Sequence, residues 1–182
     1  MQEGGRASEQ GSSIKTQFAT RLDIIKDVLF VNGNFSYNFD KNRNRWHYLP
    51  VAYYEGPEMA PKYFNETTSA YTQSNETTRL TFDAYATFNK TFNEKHAITA
   101  IAGFNQEEYR YENAQLGRKD LISTSLPTLG LATGDMSVSE SITTWALRGG
   151  YARFNYTFDD KYIVEFNGRY DGTCLLYTSP SP

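Results

Sequence analysis

From Leu29 the chain alternates in character, residue by residue. Positions 29, 31, 33, 35, 37 and 39 read Leu, Val, Gly, Phe, Tyr and Phe, and the residues between include Asn32, Asn34, Ser36 and Asn38. A helix repeats every 3.6 residues and would scatter these two sets around its surface. A strand sends successive side chains to opposite faces and keeps them apart. The pattern returns from Leu80, where Phe82, Ala84, Ala86, Phe88, Lys90 and Phe92 oppose Thr81, Asp83, Tyr85, Thr87, Asn89 and Thr91. It returns again from Tyr162, with Val164, Phe166, Gly168 and Tyr170 opposing Ile163, Glu165, Asn167, Arg169 and Asp171.

Extended to weaker stretches, the alternation predicts an all-β chain of about six strands, at about 16–26, 28–45, 77–92, 97–115, 143–158 and 161–171. Their connections alternate in length. Short turns are expected at Lys26-Asp27, at 93–96 (Asn-Glu-Lys-His) and at 159–161 (Asp-Asp-Lys), and two of these turns sit in similar sequence: TFNEKHAI beside TFDDKYIV. Long loops are expected at about 46–76 and 116–142. Short turns on one edge and long loops on the other are the habit of outer-membrane barrels. Several strands also exceed the roughly 9–11 residues that cross a bilayer, so they would project on the long-loop side. The expected fold is therefore a fragment of a transmembrane antiparallel β-barrel, with short periplasmic turns and long extracellular loops. Phe92, Phe158 and Tyr162 fall at the short-turn end, and Tyr37, Phe39, Tyr109 and Tyr111 fall towards the other interface, as girdle residues would. A soluble sandwich also alternates and could bury the same rings; strand length, loop asymmetry and ring placement favour the barrel.

Composition narrows the function classes. No apolar run reaches the roughly 18 residues of a membrane-spanning helix. The single Cys leaves no disulfide framework, and a net charge of −3 gives no basic excess for nucleic acid. Aromatics make up 15% of the chain, too many for a disordered polymer. The mean hydropathy of −0.61 does not oppose a barrel, which commits only alternate residues to lipid.

Signals for chemistry are weak. His47 and His96 fall in a loop and a turn, and no second His or Cys stands at metal-ligand spacing. There is no phosphate-binding glycine loop and no nucleophile elbow. Glu107 and Glu108 are adjacent and would face opposite sides of a strand. The Asn-x-Thr sequons at Asn65, Asn75, Asn89 and Asn155 are expected by chance in a chain rich in both residues. No catalytic residue, metal or cofactor is proposed, and the chain is not expected to be an enzyme.

Two sets of residues are candidates for binding. The stretch 46–76 crowds Trp46, Tyr48, Tyr53, Tyr54 and Tyr63 beside three prolines, and such rings either anchor sugars and partners or pack a loop against itself. Asp83, Asn89, Arg153, Asn155, Glu165, Asn167, Arg169 and Asp171 would line a polar, plugged or water-filled interior.

The ends carry less. Residues 1–15 form a polar, Gly/Ser-rich segment whose first thirteen residues lack the apolar core of a signal peptide. Either a cytosolic protein starts here or the true start lies upstream. Residues 174–182 (CLLYTSPSP) break the preceding pattern and read as translated sequencing adapter. On that reading the biological barrel segment is 16–173 and Cys174 carries no redox information.

The run YARFNYTFDDKYIVEFNGRYDG at 151–172 resembles the barrel of SusC/RagA-type TonB-linked outer-membrane proteins of Bacteroidota. Arg153, Asn155, Tyr156, Asp160, Lys161 and Tyr162 match a strand–turn–strand common in that family, as do Arg169, Asp171 and Gly172 before an expected S-S-R-F. That continuation is replaced where the adapter-like run begins. The stretches 16–39 and 80–104 resemble the family's preceding hairpins. The resemblance implies a large barrel closed around an N-terminal plug, importing oligosaccharides or peptides with energy from the TonB complex. It also implies a SusD-like lipoprotein as lid and outer-membrane lipids as surroundings. Plugged transporters of this kind have about 22 strands, so six are roughly a quarter of the wall. Two rival expectations are a secreted β-sandwich that binds carbohydrate and a passive porin.

Overall fold

The computed structural model describes residues 4–178. Six long strands form one antiparallel sheet, in the order β1 (Gly5–Ile25), β2 (Leu29–Tyr48), β5 (Ser69–Phe92), β6 (His96–Lys119), β7 (Met136–Phe158) and β8 (Tyr162–Thr178). The short strands β3 (Val51–Tyr53) and β4 (Lys62–Phe64) pair separately between β2 and β5. A 3-10 turn at Leu129–Leu131 sits between β6 and β7.

The short turns all fall on one edge. Asn93 and Glu94, and likewise Asp159 and Asp160, have positive φ. Lys95 N–H donates to the Phe92 carbonyl at 3.2 Å and Lys161 N–H to the Phe158 carbonyl at 3.0 Å. Two left-handed central residues closed by an i to i+3 bond make a type I′ turn, whose twist suits a tight hairpin. Asn and Asp tolerate that conformation better than most residues.

The strands are longer than the alternation alone predicts. Residues 5–15 belong to β1, where Gly5 to Lys15 pair with Tyr48 to Asn38. Residues 69–76 belong to β5, which reduces the expected loop 46–76 to a connection containing the β3–β4 ladder. The second long loop shrinks to 120–135. The β8 ladder runs on through Thr178, into the adapter-like run, whose residues 179–182 lie outside the described residues, as do residues 1–3.

Register gives the sheet two unlike faces. Cross-strand partners share a face, so Phe18, Phe35 and Phe82 stand in one row across β1, β2 and β5. Val31, Leu80, Ala84, Ile98, Ala102, Ala152 and Val164 share that face, as do Phe104, Phe154 and Phe166. From Leu29 to Phe39 this apolar band runs about 33 Å along β2, which a tilt of about 40° turns into a height of about 25 Å. The band is uncovered: Phe18 and Phe166 are each 65% exposed, and even Phe35 is 39% exposed. Among the described residues only Ala70 and Ala132 are buried apolar side chains. A sandwich needs a second layer over this face, and no described residue supplies one. Above the band the same face turns charged, with Lys41, Arg43 and Arg45 on β2 and Glu108, Arg110 and Glu112 on β6.

Tyr109 and Tyr111 do not join the girdle expected of them. They lie on the polar face, opposite to Tyr37 and Phe39. Alternation within β6 is too loose to fix its phase, and pairing with β5 settles it.

Candidate functional site

The polar face is a continuous ladder of side chains that answer one another across strands. All the residues expected to line an interior lie on it together. Arg153 on β7 meets Glu165 on β8 at 3.2 Å, and Asn167 donates to the same carboxylate at 2.6 Å. The Asn155 amide lies 3.2 Å from the other oxygen of Glu165. Arg169 pairs with Asp171 at 2.7 Å, and Thr99 donates to Asn89 at 3.3 Å. Half-exposed pairs of this kind contribute little stability each. Their effect is to keep the face polar with its charges balanced in place.

One contact reaches further. The Tyr151 hydroxyl on β7 donates to Asp83 on β5 at 3.1 Å, passing over β6. It can do so because β6 places Gly103 beneath the ring: a Cβ there would come within 2.5 Å of the ring and 2.8 Å of the Tyr85 Cβ. A strand glycine of this kind weakens the strand locally, and an aromatic ring laid across it restores packing. Gly117 repeats the device higher on β6, where a Cβ would meet the Tyr71 ring at 2.5 Å.

The five aromatic candidates separate into three groups. Trp46 and Tyr48 end β2 on the polar face and gather around Tyr71 of β5. Trp46 stacks on that ring at 5.3 Å, and Tyr48 meets it edge-on at 6.1 Å. Tyr53 is on β3 and stacks on Phe64 of β4 at 4.4 Å, so it holds the small ladder together. Tyr54 and Tyr63 project freely, 65% and 50% exposed. His47 stands on the opposite face of β2, and His96 contacts the Tyr156 hydroxyl at 2.7 Å.

Sequence reading passed over a second aromatic step on the polar face. Tyr109 of β6 stacks on Trp145 of β7 at 5.3 Å, with the Arg79 guanidinium 5.6 Å from the Tyr109 ring. Arg79 also pairs with Glu107 at 3.4 Å. Beside them Tyr111 donates to Asn75 at 3.3 Å, and Asn113 bonds the same Asn75 oxygen. Gly103 and Gly117, isolated inside a strand pattern, were the available signal for the rings of Tyr151 and Tyr71 that lie over them, and no such signal marked Tyr109 and Trp145. Among the described residues no group of His, Cys, Asp and Glu could hold a metal ion. No helix among them is long and apolar enough to cross a membrane, which says nothing of a barrel.

An antiparallel sheet with tight turns on one edge, an exposed apolar band of bilayer height and a polar opposite face is a portion of an outer-membrane β-barrel wall. The relatives give the particular kind. The chain is 35% identical over 92 residues to TonB-dependent receptor P39 of Formosa agariphila, and 26% identical over 99 residues to TonB-dependent receptor P3 of the same organism. These matches take in 47% and 53% of the chain but only 8% and 10% of the relatives. No family model matches the chain. A solved RagAB peptide transporter aligns over 93% of the chain with a TM-score of 0.80 at 18% identity, and its 'open-open' state aligns with a TM-score of 0.79 at 19%. The chain spans 18% of either of those chains. Its fold is that of a wall segment of an outer-membrane barrel of this kind, and about half of its sequence is similar to TonB-dependent receptors. Its relatives are named as receptors and transporters rather than enzymes.

Proposed function

We propose that the polar face lines the lumen of an active importer of oligomeric nutrients, oligosaccharides or peptides, and that the chain supplies wall and loop contacts but no covalent chemistry. The observation that carries this is the pairing of two aromatic steps, Trp46–Tyr71 and Tyr109–Trp145, with a ladder of balanced charges on one face. Flat rings bind sugar faces and peptide side chains alike, and fixed dipoles beside them orient polar groups without trapping them. The likeness to a peptide transporter supports the same reading. In the full-length receptor the TonB complex would supply energy and a plug would gate the lumen. A SusD-like lipoprotein would close over the long-loop edge, where Tyr54 and Tyr63 are free to meet it.

The test is uptake of labelled oligosaccharide and peptide libraries by cells carrying or lacking the full-length receptor gene. Uptake that needs both the receptor and TonB supports the proposal. Diffusion through the purified receptor without TonB would instead make it a passive porin.

A further inference from the structure

The face that carries the apolar band changes character above Phe39. Lys41, Arg43 and Arg45 follow along β2 on that face, then His47, with Arg6 of β1 directly opposite His47. Lys41 is answered by Glu76. Arg6, Arg43 and Arg45 meet no carboxylate among the described residues. Their cross-strand neighbours on that face, from Arg43 upward, are Ser8, Gln10, Thr72 and Ser74. Three guanidinium groups thus share a patch spanning three strands without a carboxylate. On the polar face, by contrast, Arg79, Arg153 and Arg169 each have one.

The patch is also concave. The β6–β7 connection returns over it, and Pro127, Thr128 and Leu129 help enclose a cavity of about 600 Å³ that Arg6, Arg45 and His47 line. That volume is within the range of small-molecule sites, about 300–1,000 Å³. Guanidinium groups present planar forks of donors that match phosphate oxygens, and close like charges repel unless an anion lies among them.

Height above the band selects the ligand further. Arg45 lies about 20 Å of strand beyond Phe39, or about 15 Å above the hydrocarbon edge at the same tilt of about 40°. A simple headgroup layer is only about 5–8 Å deep on each side. A ligand that starts in the membrane and reaches Arg45 needs a taller, sugar-built headgroup. We propose that Arg6, Arg43 and Arg45 hold the phosphates of a phosphorylated glycolipid of the outer leaflet, with its sugar seated under the β6–β7 connection.

The test uses the full-length receptor in mixed micelles containing diphosphorylated lipid A or its dephosphorylated form, with bound lipid counted by native mass spectrometry. Expected are at least tenfold better retention of the phosphorylated form, and loss of that preference in R6Q/R43Q/R45Q. R43Q alone should lose about threefold, which keeps the test open should the triple variant not give the heat-modifiable gel mobility of a folded barrel. Equal retention by wild type and variants would overturn the proposal. So would binding of inorganic phosphate with no preference for lipid A. A third overturning result is unchanged lipid with loss of a co-purifying lipoprotein, which would assign the patch to a protein partner.

Discussion

Along β2, Phe35 and Asn34 are neighbours in sequence and lie in unlike surroundings. Phe35 shares a row with Phe18 and Phe82, large apolar rings left exposed. Asn34 lies level with Asp83, whose carboxylate is already taken by Tyr151. The first environment tolerates variety in shape and none in charge, because lipid fills any contour but solvates no ion. The second tolerates charge only where a partner stands across the strand. One sheet therefore obeys two selection rules with a period of two, and the difference can be tested by moving the same substitution between faces.

The largest effect is expected from a cation on the lipid-facing band. Ala84→Arg in the full-length receptor should destabilise the folded barrel by about 2–4 kcal/mol, read as a shift in urea unfolding in lipid micelles. Asn34→Arg on the polar face should cost under about 1 kcal/mol, and equal losses would mean that the two faces are not distinct. Next is Gly103→Val. Its side chain would enter the space of the Tyr151 ring, with an expected cost of about 1–3 kcal/mol; Tyr151→Phe, which removes only the bond to Asp83, should cost about 1 kcal/mol. If the two variants are equal, the ring's packing over the glycine contributes nothing beyond its hydroxyl. On the proposed import function, Trp145→Ala should weaken capture of an oligomeric substrate about tenfold, measured as the concentration for half-maximal uptake, and leave barrel yield unchanged. Smallest is Arg153→Gln, with almost no shift of the urea midpoint expected from a pair whose side chains are about half exposed. A large shift there would show a dry, low-dielectric interior instead of a wet one.

How far the sequence could be read follows from where lipid touches the chain. Between Leu29 and Phe39 every second residue meets hydrocarbon, so alternation is clean and the strand is legible. Beyond Phe39 both faces are polar, Lys41 and Arg43 on one and Asn42 and Asn44 on the other, and the pattern disappears although the ladder continues to Tyr48. The same loss hid residues 5–15 of β1 and 69–76 of β5. The turns were legible because Asn and Asp suit left-handed conformations. The residues expected to line the interior could be collected on one face by counting, since period two needs no partner. Their bonds could not, because Arg153 finds Glu165, and Tyr109 finds Trp145, only through register. Trp46 and Tyr53, grouped by closeness in sequence, are separated by β2 ending at Tyr48 and a new ladder starting at Val51.

The crossing of Tyr151 over Gly103 bears on the width of the whole barrel. Hydrophobic alternation can tell odd from even, so it forbids a one-residue slip of β6 against β7 but is indifferent to a slip of two. A slip of two would bring Ile101 or Asn105 under the ring in place of Gly103. The missing side chain therefore counts residues where hydrophobicity only takes their parity. In a closed barrel the accumulated stagger between strands sets tilt and diameter. A hydrogen atom in place of a methyl group on one strand thus helps to fix how wide a passage the finished cylinder encloses.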